Sequence, residues 1–504
     1  MDLSELIQNS LGHVRSKFPL QGITIEGITA NSKEVCKNDL FVAISGYHHD
    51  GHDYIRHAIE CGAAAVVGEK YVGELSVPYI RTSNSRSALA KLAKEYYQTF
   101  TSGQTVIGVT GTNGKTTTCF MLRHIFEASG FSCALFSTLF NIVNGEKVPS
   151  EQTTSDPLKM HHLLSRSKDQ IIIVEVSSHG LSQCRLDGID FDCCVFTNLD
   201  HDHLDYHQNM EDYFSVKASL FNKLKNRGKA VINGYDSWGE KLIQSLEHTD
   251  KQMYVMGEGG HSFQIIPQYD LSSETSFFID QGKRYPIQQK IPGVHNILNA
   301  GLAYLTAKSF HIPEAFVIHT LQNFEGIPGR FQITRQTGQP TIVIDYAHTA
   351  DAFYHCLQTG HAHKATRIFH VFGFRGDRDI SKRKRMVEIS SLLSDKVILT
   401  TDDLNQISHD AMVKSLHEFS RLDNVQIIPD RTLAIEFAIT SAREGDWVFI
   451  TGKGHERYKE SYKLPSSSDL ETVRMIQQLV DSESGERCFQ LKCWDETDEK
   501  PMFH

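Results

Sequence analysis

Residues 105–130, TVIGVTGTNGKTTTCFMLRHIFEASG, decide the fold of this chain. An apolar run, a turn rich in Gly and Thr and a helical run follow one another, which is the order of strand, phosphate-binding loop and helix. Glycines let backbone N–H groups approach phosphate oxygens, a lysine offsets phosphate charge, and a hydroxyl can bind Mg²⁺. The match to the standard loop is imperfect, because Val109 stands where its first glycine is expected. The residues predicted to hold a nucleotide here are Gly111, Thr112, Asn113, Gly114, Lys115, Thr116 and Thr117.

Patterns of strand and helix alternate on both sides of this loop and divide the chain into three segments. Residues 1–100 contain DLFVAISG (39–46) and two further short strands, followed by a predicted helix that opens at Ser85. Residues 101–332 add QIIIVEVSSHG and CCVFTNLDHDH, and residues 333–480 contain four apolar runs that each end in a polar motif. This alternation predicts an α/β fold with parallel sheets and a ligand at the carboxyl ends of the strands.

Composition limits the classes of function. The 504 residues have a formal net charge of −10 and no basic tract, so neither a nucleic acid nor an anionic membrane is an expected partner. We find no signal-peptide pattern and no run of about 18 apolar residues. The ten cysteines contain no C-x-x-C pair, which favours a reducing cytoplasm. Residues 481–504 are polar and acidic, and we predict a C-terminal extension there.

A histidine cluster, NLDHDHLDYH at Asn198–His207, leaves three interpretations open. It is similar to the H-x-H-x-D-H ligand pattern of zinc hydrolases, although His207 is one residue late. It also fits a solvated polar loop. The third interpretation is that one histidine binds the Mg²⁺ of a nucleotide, although Mg²⁺ prefers oxygen ligands. Glu175 closes a neighbouring apolar strand and is a candidate second ligand.

Eight segments, taken in order along most of the chain, resemble the Mur ligase family, and within it the enzymes that add the third residue of the peptide. They are GVTGTNGKTTT, VEVSSHGLSQCRLDGIDFD, TNLDHDHLDYH, EDYFSVKASLF, GIPGRFQ, DYAHTADAF, FGFRGDRDISKR and GKGHERY. The resemblance implies a UDP-binding N-terminal α/β domain (1–100), a central P-loop ATPase domain with a parallel sheet (101–332) and a C-terminal Rossmann-like domain (333–480). It also implies an ATP-dependent ligase of peptidoglycan synthesis, located in the cytoplasm and monomeric.

The implied reaction joins an amino acid to UDP-N-acetylmuramoyl-L-Ala-D-Glu through an acyl phosphate, with ATP as co-substrate. Lys115, Glu175, His203 and Lys217 are the implied catalytic residues. Thr116, Glu175, His203 and a carbamylated Lys217 are the implied Mg²⁺ ligands. Further ATP contacts are implied at Asn296, Arg330, Asp345 and His348. Contacts with the UDP-sugar-peptide are implied at Ser32, Tyr47, His48, His49, Thr153, Thr154, Ser177, Gln183 and Arg185.

The amino-acid site is where the chain departs from the family. The implied contacts are Arg383, Asp403, Gln406, Gly452 and Glu456. Family members that use meso-diaminopimelate carry D-N-P-R, whereas this chain reads Asp403-Leu404-Asn405-Gln406. Glutamine offers no charged fork to a carboxylate, so L-lysine or another basic amino acid is expected, with the two acids meeting its amine.

Three alternatives to this function remain. One is a paralogue outside the main pathway, and another is a non-catalytic binding protein on the same fold. The third is folylpolyglutamate synthetase, a related ligase, which the region around Ser32 and the motifs DYAHTADAF and GKGHE disfavour.

Overall fold

The computed structural model describes residues 1–14, 16–46, 49–99, 103–258, 261–267 and 275–483. The chain forms two compact units, Met1–Ile327 and Pro328–His504. Every sheet contains parallel strands with helices between them, so the predicted α/β class is confirmed. Among the described residues, no helix combines the length and the apolar character needed to span a bilayer.

The first unit begins with a small parallel sheet in the order β1-β2-β3-β4. Its strands are β1 (Gly27–Thr29), β2 (Asp39–Val42), β3 (Ala65–Gly68) and β4 (Tyr79–Arg81), and its helices are α1 (Leu3–Leu11), α2 (Ile55–Glu60) and α3 (Ser85–Tyr96). Helix α3 begins at Ser85, as predicted, but the residue that caps its N-terminus is the preceding one, Asn84. The Asn84 side chain accepts a hydrogen bond from the Ser87 N–H at 3.0 Å.

An eleven-stranded sheet forms the rest of the first unit, in the order β15-β14-β13-β12-β11-β10-β5-β9-β6-β7-β8. The strands are β5 (Thr105–Thr110), β6 (Cys133–Phe136), β7 (Phe140–Val143), β8 (Glu146–Pro149), β9 (Ile171–Val176), β10 (Phe191–Phe196), β11 (Leu224–Asn233), β12 (Gln252–Met256), β13 (Phe263–Ile266), β14 (Ser276–Asp280) and β15 (Lys283–Ile287). The centre is parallel, and β7–β8 and β14–β15 are antiparallel hairpins. Asn144-Gly145, both at positive φ, make the first of these turns.

Among the described residues, seven α-helices accompany this sheet. They are α4 (Lys115–Ala128), α5 (Pro157–Arg166), α6 (Ser178–Ser182), α7 (Met210–Ala218), α8 (Ser237–Leu246), α9 (Val294–Ser309) and α10 (Glu314–Gln322). Strands β5, β9 and β10 lie side by side, and every residue of β9 is buried. A strand covered on both faces reads as a continuous apolar run, which is why IIIVEV contains no alternation and why Glu175 is an exception within it.

The second unit contains a six-stranded sheet in the order β16-β17-β21-β18-β19-β20, in which only β16 is antiparallel. Its strands are β16 (Gln332–Thr334), β17 (Thr341–Asp345), β18 (Ile368–Phe374), β19 (Lys396–Thr401), β20 (Val425–Ile427) and β21 (Trp447–Thr451). Its helices are α11 (Ala350–Ala362), α12 (Ser381–Leu393), α13 (His409–His417), α14 (Arg431–Ser441) and α15 (Asp469–Glu483). The four predicted strands are β17, β18, β19 and β21. Of the predicted extension, residues 484–504 lie outside the described residues.

Candidate active site

The loop between β5 and α4 needs glycine at two positions. Gly111 has φ of 149°, and a Cβ there would stand 1.9 Å from the Thr197 hydroxyl oxygen. Gly114 has φ of 81°, and its Cβ would stand 2.2 Å from Oδ1 of Asn299. Side chains at these positions would clash with Thr197 and Asn299, so the glycines are required by tertiary contacts as well as by backbone conformation.

The end of the neighbouring strand β10 holds the loop in place. Asn198 accepts the Asn113 N–H on its side-chain oxygen at 2.9 Å and the Thr112 N–H on its carbonyl at 2.9 Å. The Thr197 hydroxyl donates to the Asn113 carbonyl at 2.6 Å. The first residue of the histidine cluster is therefore part of the phosphate-loop scaffold.

Lys115 folds back over the loop. Its Nζ donates to the carbonyls of Gly111 at 3.0 Å and Thr112 at 2.8 Å. The loop thus carries a positive charge directly on its backbone, next to the N-terminal end of α4, where anions are favoured.

Glu175 is buried beside this loop, at 2% exposure. Its Oε1 accepts hydrogen bonds from the hydroxyls of Thr116 at 2.9 Å and Thr138 at 3.0 Å, and its Oε2 accepts the Thr138 N–H at 2.9 Å. Three donors satisfy the buried carboxylate, which explains how an acid is tolerated in β9. A carboxylate and a hydroxyl side by side are donors suited to Mg²⁺. Sequence reasoning missed Thr138, since nothing in the stretch FSTLF (136–140) marks it as a partner of β9.

Lys217, on α7, reaches the same loop from the other side. It is 1% exposed, its Nζ donates to the Gly111 carbonyl at 2.7 Å, and it lies 4.7 Å from the centre of the Tyr213 ring. Burial, and then the charge of Lys115, lower the pKa of Lys217 well below its usual value. The lowered pKa favours the neutral amine, which is the form that carbamylation requires.

The three histidines of the cluster occupy different environments. His203 has φ of +56°, its Nε2 lies 3.4 Å from Asp202 Oδ2, and its ring meets His179 edge-on at 4.9 Å. His207 is buried and stacks on Tyr213 at 4.9 Å, so it packs the core of this region. His201 is exposed. Within the described ranges, no three His, Cys, Asp or Glu side chains are grouped so as to hold a metal ion.

Five residues predicted for the sugar-peptide lie together beside Glu175. The hydroxyl oxygens of Thr138 and Thr153 lie 3.1 Å apart, and Thr154 donates to the Glu175 carbonyl at 3.0 Å and lies 3.1 Å from the Ser177 hydroxyl. Arg185 donates to the Thr154 carbonyl and to Gln183 Oε1, both at 2.7 Å, and burial lowers the pKa of Arg185.

The remaining sugar-peptide predictions are not part of this group. Ser32 is half-buried in the turn after β1, and His49 is exposed. Neither side chain forms a hydrogen bond with the five residues beside Glu175. Tyr47 and His48 lie outside the described residues.

The predicted adenine and ribose contacts are divided between the two units. In the first unit, Asn296 is buried in α9 and donates to the Pro292 carbonyl at 2.7 Å. Asn299, three residues later in α9, is the residue that lies against Gly114, and no sequence motif marked it.

Three of the predicted ATP contacts, Arg330, Asp345 and His348, lie around Tyr346 in the second unit. The guanidinium of Arg330 lies 4.2 Å from the centre of the Tyr346 ring, and Nδ1 of His348 lies 2.9 Å from the Tyr346 carbonyl. Asp345 accepts the N–H groups of Phe331 at 2.6 Å and Ala347 at 2.7 Å.

The predicted amino-acid contacts lie at the ends of β18, β19 and β21. Lys453 donates to Asp403 at 2.6 Å, and Arg375 pairs with Glu456. Cations of the chain therefore already pair with both acids that were predicted to meet a substrate amine, and an incoming amine would have to compete with them. Sequence reasoning missed Arg375, which has no signature apart from its place at a strand end. The remaining three predicted contacts are Arg383, which donates to Ser415 at 3.0 Å, Gly452, at φ of 104°, and Gln406, which is exposed.

Sequence comparison covers the three predicted segments. The Mur ligase family catalytic domain matches residues 24–97, the Mur ligase middle domain 109–307, and the Mur ligase glutamate ligase domain 329–454. The chain belongs to the Mur ligase family. It is an ATP-dependent ligase of peptidoglycan precursor synthesis, and this membership excludes the zinc hydrolase.

Individual relatives of this Mur ligase are diaminopimelate ligases. The UDP-N-acetylmuramoyl-L-alanyl-D-glutamate–2,6-diaminopimelate ligase of Clostridium tetani is 35% identical, over 87% of this chain and 91% of the relative. The ligase of the same name from Aquifex aeolicus is 36% identical, over 90% and 93%. A solved structure of such a ligase matches with a TM-score of 0.68 and 27% identity, over 96% of this chain and 99% of that chain. The lysine preference predicted from Gln406 is thus not confirmed.

A more distant solved structure shows the shared fold. A MurF ligase from Thermotoga maritima in complex with ADP matches with a TM-score of 0.63 and 19% identity, over 93% of this chain and 100% of that chain.

Proposed function

We propose that this Mur ligase joins 2,6-diaminopimelate to UDP-N-acetylmuramoyl-L-Ala-D-Glu, with hydrolysis of ATP to ADP and phosphate. The observation that carries the proposal is the group formed by Lys115, Thr116, Glu175 and Lys217 around one phosphate-type loop. Relatives support the choice of amino acid. Eight of them, each 33–36% identical to this chain, are named as 2,6-diaminopimelate ligases.

The first half of the reaction activates a carboxylate. A carboxylate oxygen of the dipeptide attacks the γ-phosphorus of ATP, the bond to the bridging oxygen breaks, and ADP leaves. Two anions must approach each other, so the charge of Lys115 and the N–H groups of residues 111–117 reduce the repulsion. Most of the remaining acceleration comes from positioning.

Mg²⁺ fits the oxygen donors beside the loop. Thr116 and Glu175 would hold it, with His203 and Lys217 as further ligands once Lys217 is a carbamate. A bound Mg²⁺ would offset charge on the phosphates during transfer. The lowered pKa of Lys217 supports this role, because only the neutral amine adds to CO₂.

The second half forms the amide. The amine of diaminopimelate attacks the acyl-phosphate carbonyl, loses a proton, and expels phosphate from the tetrahedral intermediate. Thr153, Thr154, Ser177, Gln183 and Arg185 would hold the sugar-peptide against Glu175. Asn296, Arg330, Asp345 and His348 would hold the adenosine, and Ser32 with residues 47–49 would hold the uridine.

The domain boundaries proposed for these roles are 1–100 for UDP, 101–332 for ATP and 333–480 for the amino acid, with residues 481–504 as an extension. The amino-acid site is assigned to Arg383, Asp403, Gln406, Gly452 and Glu456. We propose that the enzyme acts as a monomer.

Phosphate release tests this function directly. The purified chain is incubated with ATP, Mg²⁺ and UDP-N-acetylmuramoyl-L-Ala-D-Glu, with single amino acids added in turn and product mass as the readout. We expect turnover with meso-diaminopimelate, loss of turnover in Lys115→Ala, and normal turnover in Lys225→Ala, a surface lysine paired with Asp192. No product with any amino acid, in protein that binds ATP, would refute the proposal.

A further inference from the structure

The loop that carries Gln406 is fixed against the end of β18. The Gly376 N–H donates to the Asp403 carbonyl at 2.9 Å, and the Asn405 side chain donates to the Gly376 carbonyl at 2.8 Å. The Gln406 N–H donates to Asp377 Oδ2 at 2.9 Å. The Gln406 side chain is exposed and makes no hydrogen bond to the described part of the chain. Residue 406 therefore offers no charge to a substrate, and its loop is held close to residue 375.

Arg375 is the first residue after β18, and it brings a guanidinium to the same edge of the sheet. Its Nε donates to Asp402 Oδ2 at 3.4 Å, and its Nη2 donates to the Gly452 carbonyl at 3.3 Å and to Glu456 Oε2. Its Nη1 lies 3.5 Å from Glu456 Oε1. These contacts use four of the five N–H donors of a guanidinium, and the side chain is 20% exposed. One Nη1 donor is therefore left for a ligand.

Glu456 is the acid partner in this arrangement. Its Oε1 accepts the Tyr346 hydroxyl at 3.1 Å, and its side chain is 27% exposed. Asp402 and Asp403 are both buried, and Lys453 lies 3.1 Å and 2.6 Å from them. Glu456 is thus the most accessible of these three acids, and it stands beside Arg375.

We propose that Arg375, beside the Glu456 already assigned to the amino-acid site, binds the far end of the incoming amino acid and supplies the charge that Gln406 lacks. This inference rests on the proposed function. The substrate class that follows is an amino acid whose side chain ends in both an ammonium and a carboxylate. Arg375 meets the distal carboxylate and Glu456 meets the distal ammonium. Each of the two contacts joins opposite charges. The ion pair between Arg375 and Glu456 is thus exchanged for two ion pairs with the substrate.

A lysine side chain fits this pair poorly. The ammonium of lysine can pair with Glu456 only if it displaces the guanidinium of Arg375. Lysine has no distal carboxylate, so Arg375 is then left without an acidic partner. A buried or half-buried charge that loses its partner raises the free energy of the complex. The same pair therefore favours diaminopimelate and excludes lysine.

The test compares Arg375→Gln with wild type on meso-diaminopimelate, 2-aminopimelate and L-lysine, measuring kcat and KM separately. 2-Aminopimelate keeps the distal carboxylate and lacks the distal amine. We expect Arg375→Gln to lower kcat/KM for both pimelates by about 10- to 100-fold, mainly through KM, as for loss of one charge-assisted contact. The value for lysine stays the same or rises. Arg385→Gln, which removes an exposed arginine of α12, is the matched control and leaves all three values unchanged.

Arg375→Lys covers the case in which Arg375→Gln is poorly folded, because it keeps a cation beside Asp402 and Glu456 but offers no guanidinium fork to a carboxylate. We expect Arg375→Lys to lower the use of both pimelates and to leave that of lysine unchanged. Arg375→Gln/Gln406→Arg returns an arginine on the adjoining loop, and we expect it to regain use of meso-diaminopimelate. Equal losses on all three amino acids, or no loss on any, would overturn the role of Arg375. Wild type that prefers lysine would also overturn it. Wild type that is silent on every amino acid would refute the proposed function itself, so the two failures are distinguishable.

Discussion

Replacing Lys217 by alanine tests the chemistry at the centre of the site. The side chain is 1% exposed, and its Nζ lies 2.7 Å from the Gly111 carbonyl of the phosphate loop. Burial and the charge of Lys115 lower the pKa of Lys217, which favours the neutral amine in the folded protein. In the proposed modification, the neutral amine adds to CO₂ and loses a proton, which places an anionic carbamate beside the phosphate loop. Lys217→Ala removes both forms.

The expected loss is large in activity and small in stability. Removing one preorganised group that stabilises transition-state charge lowers kcat by about 10²- to 10³-fold. Stability changes in two opposing ways. A lysine whose folded pKa is depressed opposes folding below its unfolded pKa, by about 1.4 kcal/mol for each unit, and this cost falls as the pH rises. Alanine removes that cost but also leaves a cavity where the buried methylenes were. The variant should therefore fold, with its loss confined to turnover.

The assay is ADP formation with the full set of substrates. Short carboxylates such as formate or propionate, added to Lys217→Ala, should restore part of kcat by entering the space that the side chain leaves. Wild type depleted of CO₂ should lose activity and regain it with bicarbonate. Lys225→Ala is the control, since Lys225 is 43% exposed and paired with Asp192. Unchanged turnover in Lys217→Ala would refute the reasoning, and so would CO₂ independence together with an unmodified intact mass.

Three further predictions concern buried polar groups. Glu175→Gln should remove Mg²⁺-dependent ADP formation and lower the free energy of unfolding by about 1–3 kcal/mol, because an amide cannot accept all three hydrogen bonds; equal stability in urea denaturation would contradict this. Asp469→Asn should cost about 3–5 kcal/mol, since Arg431 and Asp469 are both fully buried and pair at 2.7 Å, and denaturation curves with unchanged midpoints would refute it. His161 is buried and its pKa is lowered to about 4, so the unfolded state binds a proton that the folded state does not as the pH falls through 6.5. From pH 7 to pH 5 wild type should therefore lose about 2 kcal/mol more than His161→Phe, and parallel pH profiles would disprove it.

The sequence predicted the elements whose pattern is local. Residues 105–130 form β5, the loop and α4, and the four apolar runs of the last segment form β17, β18, β19 and β21. In each case a run of buried residues or a turn of fixed composition carries its own signal. Several strands that the sequence analysis did not assign are short or amphipathic, such as β16, β20 and the β7–β8 hairpin, and their pairing depends on a neighbouring strand.

The candidate site was predicted only in part, because contacts between residues far apart in the chain have no local sequence signal. Lys115, Thr116, Glu175 and Lys217 were named from motifs and resemblance, and the structure brings them to one loop. Thr138 and Asn299 have no motif, and they were found only through their contacts with Glu175 and Gly114.

By itself, the sequence determined the α/β class, the phosphate loop and the family, because these depend on residue order along single strands, turns and helices. Only the tertiary structure decided which charges meet. Asp403 and Glu456 looked available to a substrate amine, yet Lys453 and Arg375 pair with them from separate strand ends. Lys217 looked like a solvated helix residue, yet burial against the Gly111 carbonyl lowers its pKa. Pairing and desolvation depend on distances between residues far apart in the chain, and a linear pattern does not contain those distances.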